Sequence, residues 1–303
     1  MSLPLKSEVL RKLMISFLRE DVGSGDLTTN AIVPASARAR GWLIAKQRCV
    51  LAGLELLPYG FRVLDPSVRV KCLFRDGQEV AGGQPVASVS GRARALLTGE
   101  RVALNVLQRL SGIATLTHEF VRAVRGTRAR IYDTRKTTPG WRMLEKYAVR
   151  CGGGHNHRRG LFDAILIKDN HLAFAGGVRP AVERARMESR GSGALELEVS
   201  TVDQLRDALG LGVNHILLDN MTPPQVRRCV ELIRKQPGGR RTLVECSGGV
   251  SLRSVRPFAE AGADWISVGA LTHSAPAVDI SFEIEPAGAG RPRGDSPSRA
   301  HRN

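Results

Sequence analysis

The chain has 303 residues, of which 42% are apolar, and it carries a formal net charge of +16 at neutral pH. This content can fill the core of one large α/β domain or two smaller ones, whereas no stretch has the length of a membrane span and the charged N-terminal residues do not fit a signal peptide, so we expect a cytoplasmic protein. The five cysteines are odd in number and widely spaced, which argues against a disulfide framework and predicts reduced, packed thiols.

The first third of the chain predicts a small α+β domain. A helical pattern near SEVLRKLMISFLRED is followed by short strands separated by turns, as in GWLIAKQRCVLAG and VKCLFRDGQEVAGGQPVASVSG. Several strands after a helix, without the spacing of βαβ units, favour a separate domain. We place this N-terminal domain at residues 1–113.

The remainder predicts an α/β barrel over residues 114–273. Short apolar runs alternate there with amphipathic segments, which is typical of βαβ units around a parallel sheet. The six predicted strands are ARIYD, AILIK, LELEV, HILLD, TLVEC and DWISV. We expect residues 274–286 to pack on the N-terminal domain. Residues 287–303 form a Gly/Pro/Ser/Arg-rich tail that has little to bury and is predicted to be disordered.

Polar residues fall at or just past the C-terminal end of each predicted strand. In parallel α/β barrels the strand ends converge at this rim, where loops and helix N-termini meet a ligand. We therefore expect one active site that includes Arg135, Lys136, Lys168, Glu198, Asp219, Ser247 and Gly269.

The most basic part of this rim is the pair of segments DTRKTTPG and CGGGHNHRRG. Between Arg135 and Arg159 there are seven Lys/Arg and a single Glu, so an anionic partner is implied. The basic residues are not interleaved with aromatics, which make up 5% of the chain, and no nucleic-acid-binding module is recognisable. We expect small anionic substrates, and neither a nucleic acid nor a membrane as partner.

Two glycine-containing turns in consecutive units predict a phosphate site. Ser247–Gly249 (SGG) follows one strand and Val268–Ala270 (VGA) follows the next. Glycine lets a phosphate approach the main chain, where backbone N–H groups bind it. The predicted phosphate-binding residues are Ser247, Gly248, Gly249, Val268, Gly269 and Ala270.

Glu198 and Asp219 end adjacent strands opposite the cations. Two such carboxylates could pair with Lys168 for neutrality, hold Mg²⁺ on a pyrophosphate, or face a cationic ribosyl transition state. Lys168 could instead be the Schiff-base lysine of a barrel aldolase, although its charged neighbours count against this. His155, His157 and Cys151 are weak candidates for zinc, because alternate positions of an extended chain point to opposite sides. An anion-binding His157 is favoured.

The sequence resembles the quinolinate phosphoribosyltransferases. The resemblance runs from EDVGSGDLTT at Glu20 to DISFEIE at Glu285, in order and without missing blocks. The motifs that carry it are GERVALNVLQRLSGIAT, DTRKTTPGWRMLEKYAV, GGGHNHRRGLFDAILIKDNH, LELEV, LLDNM, ECSGGV and GADWISVGALTHS. It implies an N-terminal α/β sandwich joined to an open α/β barrel. It also implies Mg²⁺-dependent synthesis of nicotinate mononucleotide, CO₂ and pyrophosphate from quinolinate and phosphoribosyl pyrophosphate (PRPP).

The resemblance also implies residue roles. Lys136, Lys168, Glu198 and Asp219 would be catalytic, with Glu198 and Asp219 near the metal, directly or indirectly. A homodimer is implied, in which Arg101 reaches the active site of the partner subunit. The implied substrate-binding residues are Arg101, Thr134, Arg135, Lys136, His157, Arg158 and Lys168.

Three alternatives remain open on the sequence alone. The first is a divergent relative associated with molybdenum transport, which shares the fold but has a different substrate. The second is the aldolase that uses Lys168, and the third is a basic nucleic-acid-binding protein. The doubled arginine of the HRRG segment leaves the role of Arg159 undecided, whereas Arg158 directly follows His157 and is assigned to the substrate.

Overall fold

The N-terminal part of the chain forms a four-stranded antiparallel sheet with helices on one face. This computed structural model describes residues 3–188 and 195–287, so residues 288–303 of the predicted tail lie outside the described residues. The first elements are α1 (Ser7–Val22), α2 (Leu27–Ile32), β1 (Arg38–Ala45), β2 (Cys49–Val50), α3 (Leu57–Leu64), β3 (Arg69–Cys72), β4 (Glu79–Val80), β5 (Pro85–Arg92) and α4 (Ala93–Ala123).

One face of this sheet packs on the core and the other is open. In β1 the buried residues Ala39 and Leu43 alternate with the exposed Arg38 and Arg40, as expected for a strand with one covered face. The strand order is β12-β1-β5-β3, where β12 (Ile280–Pro286) comes from the far end of the chain. The main-chain N–H of Ala287 donates to the Arg38 oxygen at 2.8 Å, directly after β12.

Helix α4 connects the two parts of the molecule. Its 31 residues pass without a break through Ile113, where the sequence placed the domain boundary. Residues such as Leu96 and Leu107 pack in the core of the antiparallel sheet, whereas Val106 and Ile113 belong to the core shared with the barrel. A single helix therefore contributes to both hydrophobic cores.

The C-terminal part is an open α/β barrel with six parallel strands, as predicted. Its strand order is β6-β11-β10-β9-β8-β7, and β6 and β7 are the two edges. The elements are β6 (Arg130–Tyr132), α5 (Arg142–Cys151), β7 (Ile165–Ile167), α6 (Asp169–Ala175), α7 (Val178–Glu188), β8 (Leu195–Val199), α8 (Val202–Ala208), β9 (His215–Asp219), α9 (Pro223–Arg234), β10 (Leu243–Ser247), α10 (Val255–Glu260), β11 (Trp265–Ser267) and α11 (Ala270–His273).

The strand register sets which side chains reach the barrel interior. Glu196 pairs with His215 across β8 and β9, and Ser247 pairs with Asp219 across β10 and β9. Because successive side chains of a strand point to opposite faces, Glu196 lies on the same face as Glu198 and one layer deeper.

All five cysteines are free thiols, and four of them are buried. Cys72 is exposed, which corrects the prediction that every thiol is packed: β3 is an edge strand and leaves this residue uncovered. Among the described helices, none is both long and apolar enough to cross a bilayer.

Candidate active site

A cavity of about 330 Å³ opens at the C-terminal ends of the barrel strands. Eleven of the residues predicted for the site line it together. They are Thr134, Arg135, Lys136, His157, Arg158, Lys168, Glu198, Asp219, Ser247, Gly248 and Gly249. The prediction that strand-end residues converge is therefore met for these positions, which come from β6, β7, β8, β9 and β10 or the loops beside them.

One wall of the cavity is cationic. Desolvation lowers the pKa of Arg158, and the positive charge of the neighbouring Arg135 lowers it further. Arg158 donates from Nη1 to the Ala164 carbonyl oxygen at 3.1 Å, and Arg135 Nε is buried without a hydrogen-bond partner. Adjacent guanidinium groups that repel each other in a partly dry cavity favour an anionic ligand.

A buried ion pair holds the two loops that form this wall. Asp133, at the end of β6, contacts Lys146 Nζ on α5, and both side chains are almost fully buried. Asp133 also accepts from the His157 main-chain N–H at 2.8 Å and from Asn156 Nδ2 at 2.6 Å, while Lys146 Nζ donates to the His157 carbonyl oxygen at 3.0 Å. These bonds fix the backbone from which Arg135 and Arg158 extend, although burial raises the pKa of Asp133.

The same cavity carries two carboxylates. Glu198 Oε2 lies 3.7 Å from Lys168 Nζ, and Asp219 is bounded by the charges of Lys136 and Lys168. Desolvation raises the pKa of both carboxyl groups, and the charge of Asp219 raises that of Glu198 further. A divalent cation between them would relieve this repulsion, and carboxylate oxygens are the donors that Mg²⁺ prefers, so the pair fits a magnesium ion.

Lys168 does not have the surroundings of a Schiff-base lysine. Its side chain is 45% exposed and ion-paired with Glu198. A nucleophilic lysine needs a lowered pKa, which comes from desolvation or from neighbouring cations, whereas a carboxylate partner stabilises the protonated amine. These contacts argue against the aldolase alternative.

The Ser247–Gly249 turn lines the cavity beside Asn220. Gly248 (φ +96°) and Gly249 (φ +59°) both adopt left-handed backbone conformations. A Cβ atom on Gly248 would lie 2.1 Å from Asn220 Oδ1 and 2.8 Å from the Asn220 nitrogen, so only glycine fits. Asn220 itself has φ +53° and donates from Nδ2 to Asp219 Oδ2 at 2.8 Å. Asn220 therefore packs against the Ser247–Gly249 turn and also holds the Asp219 carboxylate in position.

The other predicted residues lie outside this lining. Arg101 is exposed on α4, and the Val268 N–H is already bonded to the Tyr132 carbonyl oxygen at 2.9 Å. Gly269 and Ala270 do not line the cavity, but Gly269 lies beside the Lys136 side chain. Arg159 points away from the wall: its side chain is 59% exposed, with Nε 3.8 Å from Asp163.

Several lining residues were missed at the sequence level. They are Leu166, Leu217, Asn220, Glu245 and Ser267. Glu245 could have been predicted from the alternation of side chains along a strand, because it lies two residues before Ser247 and hence on the same face of β10. Asn220 follows Asp219 directly, but its left-handed backbone cannot be recognised from one sequence.

These features define a class: an α/β barrel protein whose strand ends form a cavity suited to an anionic ligand. The family described as quinolinate phosphoribosyl transferase, C-terminal domain, matches residues 113–283, and its N-terminal domain matches residues 26–111. The chain therefore belongs to the quinolinate phosphoribosyltransferase family.

Individual proteins support the same assignment. The probable nicotinate-nucleotide pyrophosphorylase [carboxylating] of Bacillus subtilis is 44% identical over 275 residues, which cover 91% of this chain and 93% of the relative. The nicotinate-nucleotide pyrophosphorylase [carboxylating] of Mycobacterium leprae is 43% identical, with 88% of this chain and 94% of the relative covered. The crystal structure of NadC from Streptococcus pyogenes superposes with a TM-score of 0.88 at 40% identity, and covers 94% of this chain and 99% of that chain.

Proposed function

We propose that this protein transfers the phosphoribosyl group of PRPP to quinolinate and releases pyrophosphate and CO₂, forming nicotinate mononucleotide for NAD biosynthesis. The observation that carries the proposal is the division of one cavity into a cationic wall, a carboxylate pair and a glycine turn. Quinolinate carries two carboxylates and PRPP carries a pyrophosphate and a phosphate, so this substrate pair needs all three features. Family membership and the relatives' names support the same reaction.

The cationic wall would bind quinolinate. Thr134, Arg135, Lys136, His157 and Arg158 lie together there, and Arg135 and Arg158 are already desolvated next to each other. Fixed guanidinium groups can receive the two carboxylates of a rigid pyridine ring and hold its nitrogen toward the ribose.

The carboxylate pair, Lys168 and the Ser247–Gly249 turn would bind PRPP. Glu198 and Asp219 would hold Mg²⁺, which supplies charge neutralisation for the departing pyrophosphate. Lys168 would add a positive charge near the leaving group, and the Ser247–Gly249 turn would bind phosphate through its main chain. Attack of the pyridine nitrogen on the anomeric carbon breaks the bond to the pyrophosphate oxygen and makes the ring cationic. The positive ring eases loss of the adjacent carboxylate as CO₂, and the carbanion left on that carbon takes a proton from water.

The direct test is an assay of purified protein with quinolinate, PRPP and Mg²⁺. We expect nicotinate mononucleotide, pyrophosphate and CO₂ in equal amounts. If no nucleotide forms with quinolinate, while another pyridine or purine base is ribosylated, the substrate assignment is wrong.

The active form would be a homodimer with Arg101 acting in trans. Arg101 is exposed and lies outside the cavity of its own chain. Helix α2 is tied to the start of α4 near Arg101 by Thr98 Oγ1, which donates to Asp26 Oδ2 at 3.0 Å, and α2 exposes Leu27 and Ile32. Next to the cavity, Leu161 and Phe162 are 74% and 84% exposed. A second copy would cover these apolar side chains and bring Arg101 to the neighbouring site.

Subunit exchange tests this arrangement. Arg101→Ala and Lys168→Ala should each be inactive, but a mixed dimer holds one site that lacks both groups and one intact site. Random exchange makes half of the dimers mixed, so about a quarter of the wild-type activity should return. If native mass spectrometry confirms the exchange and activity stays at the level of the parents, Arg101 does not act in trans.

A further inference from the structure

A second cluster of titratable side chains lies inside the barrel, and the proposed chemistry uses only its histidine His157. The cluster consists of Glu196 on β8, His215 on β9, Glu245 on β10 and His157 from the loop before β7. His215 Nε2 lies 2.9 Å from Glu245 Oε2, and His157 Nε2 lies 3.2 Å from Glu196 Oε2 and 3.4 Å from Glu245 Oε2. We call these four residues the barrel cluster.

The barrel cluster is dry and incompletely paired. The side chains of Glu196 and Glu245 are 3% and 0% exposed, and Oε1 of each has no hydrogen-bond partner. His157 Nε2 is also buried without a hydrogen bond of good geometry, so its approach to the two carboxylates is a close electrostatic contact. The Trp265 ring packs edge-on against both imidazoles, with centroid distances of 6.3 Å to His157 and 4.9 Å to His215. Burying a carboxylate without full hydrogen bonding lowers the stability of the fold. If this layer of the barrel had only a structural role, we would therefore expect apolar residues there.

The contacts of His157 connect this cluster to the cationic wall. The N–H of Arg158 donates to His157 Nδ1 at 2.8 Å, while Nε2 faces the two carboxylates. The main chain of His157 is held on both sides, by Asp133 and by Lys146. The ring is thus the link between two buried glutamates and the backbone of Arg158.

The contacts of His157 favour opposite protonation states of its ring. Burial alone would lower the pKa of His157, but the contacts with Glu196 and Glu245 outweigh it and raise that pKa to about 10. The Arg158 N–H instead favours the neutral ring with its hydrogen on Nε2. An imidazolium carries a hydrogen on Nδ1 and cannot accept the Arg158 N–H, so the Nδ1 contact belongs to the neutral ring, whose Nε2 hydrogen lies toward the carboxylates.

The same arrangement argues against a metal ion. One donor atom from each of His157, Glu196 and Glu245 lies within 4.8 Å of the others, which resembles a metal-binding set. An imidazole that accepts a hydrogen bond at Nδ1 must carry its hydrogen on Nε2, the atom that faces the carboxylates, and that atom is then no ligand.

We propose that Glu196 and Glu245 are positioning residues for quinolinate binding, which hold the His157 ring from within the barrel and thereby fix the Arg158 main chain at the cavity wall. His215 supports Glu245 from the neighbouring strand. This inference rests on the proposed function, because it assigns the barrel cluster to the quinolinate side of that site and leaves the PRPP side unaffected.

The test compares Michaelis constants for the two substrates in Glu196→Gln and Glu245→Gln. Each change removes a negative charge and keeps the shape of the side chain. We expect KM for quinolinate to rise about tenfold while KM for PRPP stays within about twofold. The control is Asp264→Asn, which alters another carboxylate of the barrel that accepts from Arg234 Nη2 at 2.8 Å and from the Val244 N–H at 2.9 Å, at the N-terminal ends of the strands and thus opposite the cavity. It should lower the melting temperature without raising KM for quinolinate.

Two further variants keep the test decisive if a glutamine variant does not fold. His215→Gln should raise KM for quinolinate in the same direction, since its loss frees Glu245 from its 2.9 Å partner. In His157→Asn the amide oxygen can still accept the Arg158 N–H, but the contact with the glutamates is lost. Adding Glu245→Gln to His157→Asn should then cause no further rise, because the two changes break one connection.

Each outcome has a distinct meaning. Folded glutamine variants with unchanged KM for quinolinate overturn the positioning role, as does an equal rise of both Michaelis constants. One equivalent of zinc that survives dialysis in the wild type and is lost in Glu245→Gln also overturns it, in favour of a metal site. Wild-type protein that does not bind quinolinate at all contradicts the proposed function instead.

Discussion

The antiparallel sheet and the mouth of the barrel are both rich in cations, but they use them differently. On the sheet, Lys46 pairs with Glu283 at 2.9 Å and Arg92 lies 3.6 Å from Asp65, and the cations of both pairs are 42% or more exposed. At the barrel mouth, Arg135 and Lys136 form no ion pair with any described residue, and Arg158 is desolvated beside Arg135. Exposed, paired charge contributes little to stability, whereas unpaired charge in a cavity indicates a ligand.

The largest effect is expected for the carboxylates of the barrel mouth. Glu198→Gln and Asp219→Asn should lower turnover about 10²- to 10³-fold, because each removes charge that the metal and the transition state require. KM for quinolinate should change far less. Steady-state kinetics at saturating Mg²⁺ provides the measurement, and near-normal turnover in both variants would remove these residues from the reaction.

The next effect concerns the cationic wall. Lys136→Ala and Arg158→Ala should each weaken quinolinate binding by about 2–4 kcal/mol, because a charge-assisted contact with a carboxylate is lost in a partly dry cavity. The fold should persist, since Lys136 is exposed and Arg158 makes a single side-chain hydrogen bond to Ala164. Unchanged KM for quinolinate in both variants, with normal circular dichroism, would refute the pocket assignment.

A smaller effect is expected at the phosphate turn. Gly248→Ala puts a methyl group 2.1 Å from Asn220 Oδ1 at a backbone with φ +96°, so Asn220 must move away from Asp219. We expect KM for PRPP to rise and stability to fall by about 1–3 kcal/mol. The exposed Gly83 (φ +83°), which has no atom within 4 Å of an added Cβ, is the matched control. Gly83→Ala should lower stability through backbone strain and leave both Michaelis constants unchanged. A rise in KM for PRPP in this variant would show that backbone strain alone, without a shift of Asn220, is enough to weaken PRPP binding.

The smallest effect is expected on the sheet. Arg40→Ala and Lys71→Ala remove exposed cations from its open face, where we expect changes in stability within about 0.5 kcal/mol and no change in activity. A loss of turnover in either variant would contradict the contrast between the two regions, since it would give the open face a role in the reaction.

The site at the barrel mouth could be predicted because it requires only the repeating βα pattern and the polar residues at the strand ends. Strand ends of a parallel barrel converge whatever the details of packing, so Lys168, Glu198 and Asp219 could be brought together from the apolar runs that precede them. The domain boundary at Ile113 stays a prediction. Helix α4 runs through it and contributes residues to both cores, and a helical pattern alone does not reveal two different partners.

The barrel cluster was not predicted for a different reason. In the sequence, nothing distinguishes Glu196 and His215 from the other residues of the strands LELEV and HILLD. Only the register between β8 and β9 places them opposite each other. The contact between His157 Nδ1 and the Arg158 N–H depends on a side-chain rotamer in an irregular loop, which sequence spacing does not determine.

Isothermal titration with quinolinate and with nicotinate tests the central claim most directly. The two ligands differ by one carboxylate, and a wall with two adjacent guanidinium groups at Arg135 and Arg158 should distinguish them. We expect quinolinate to bind at least about tenfold more tightly than nicotinate, and Arg158→Ala to remove most of that preference. Equal affinity for both ligands, or a preference for nicotinate, would contradict the assignment of the barrel mouth to a pyridine dicarboxylate.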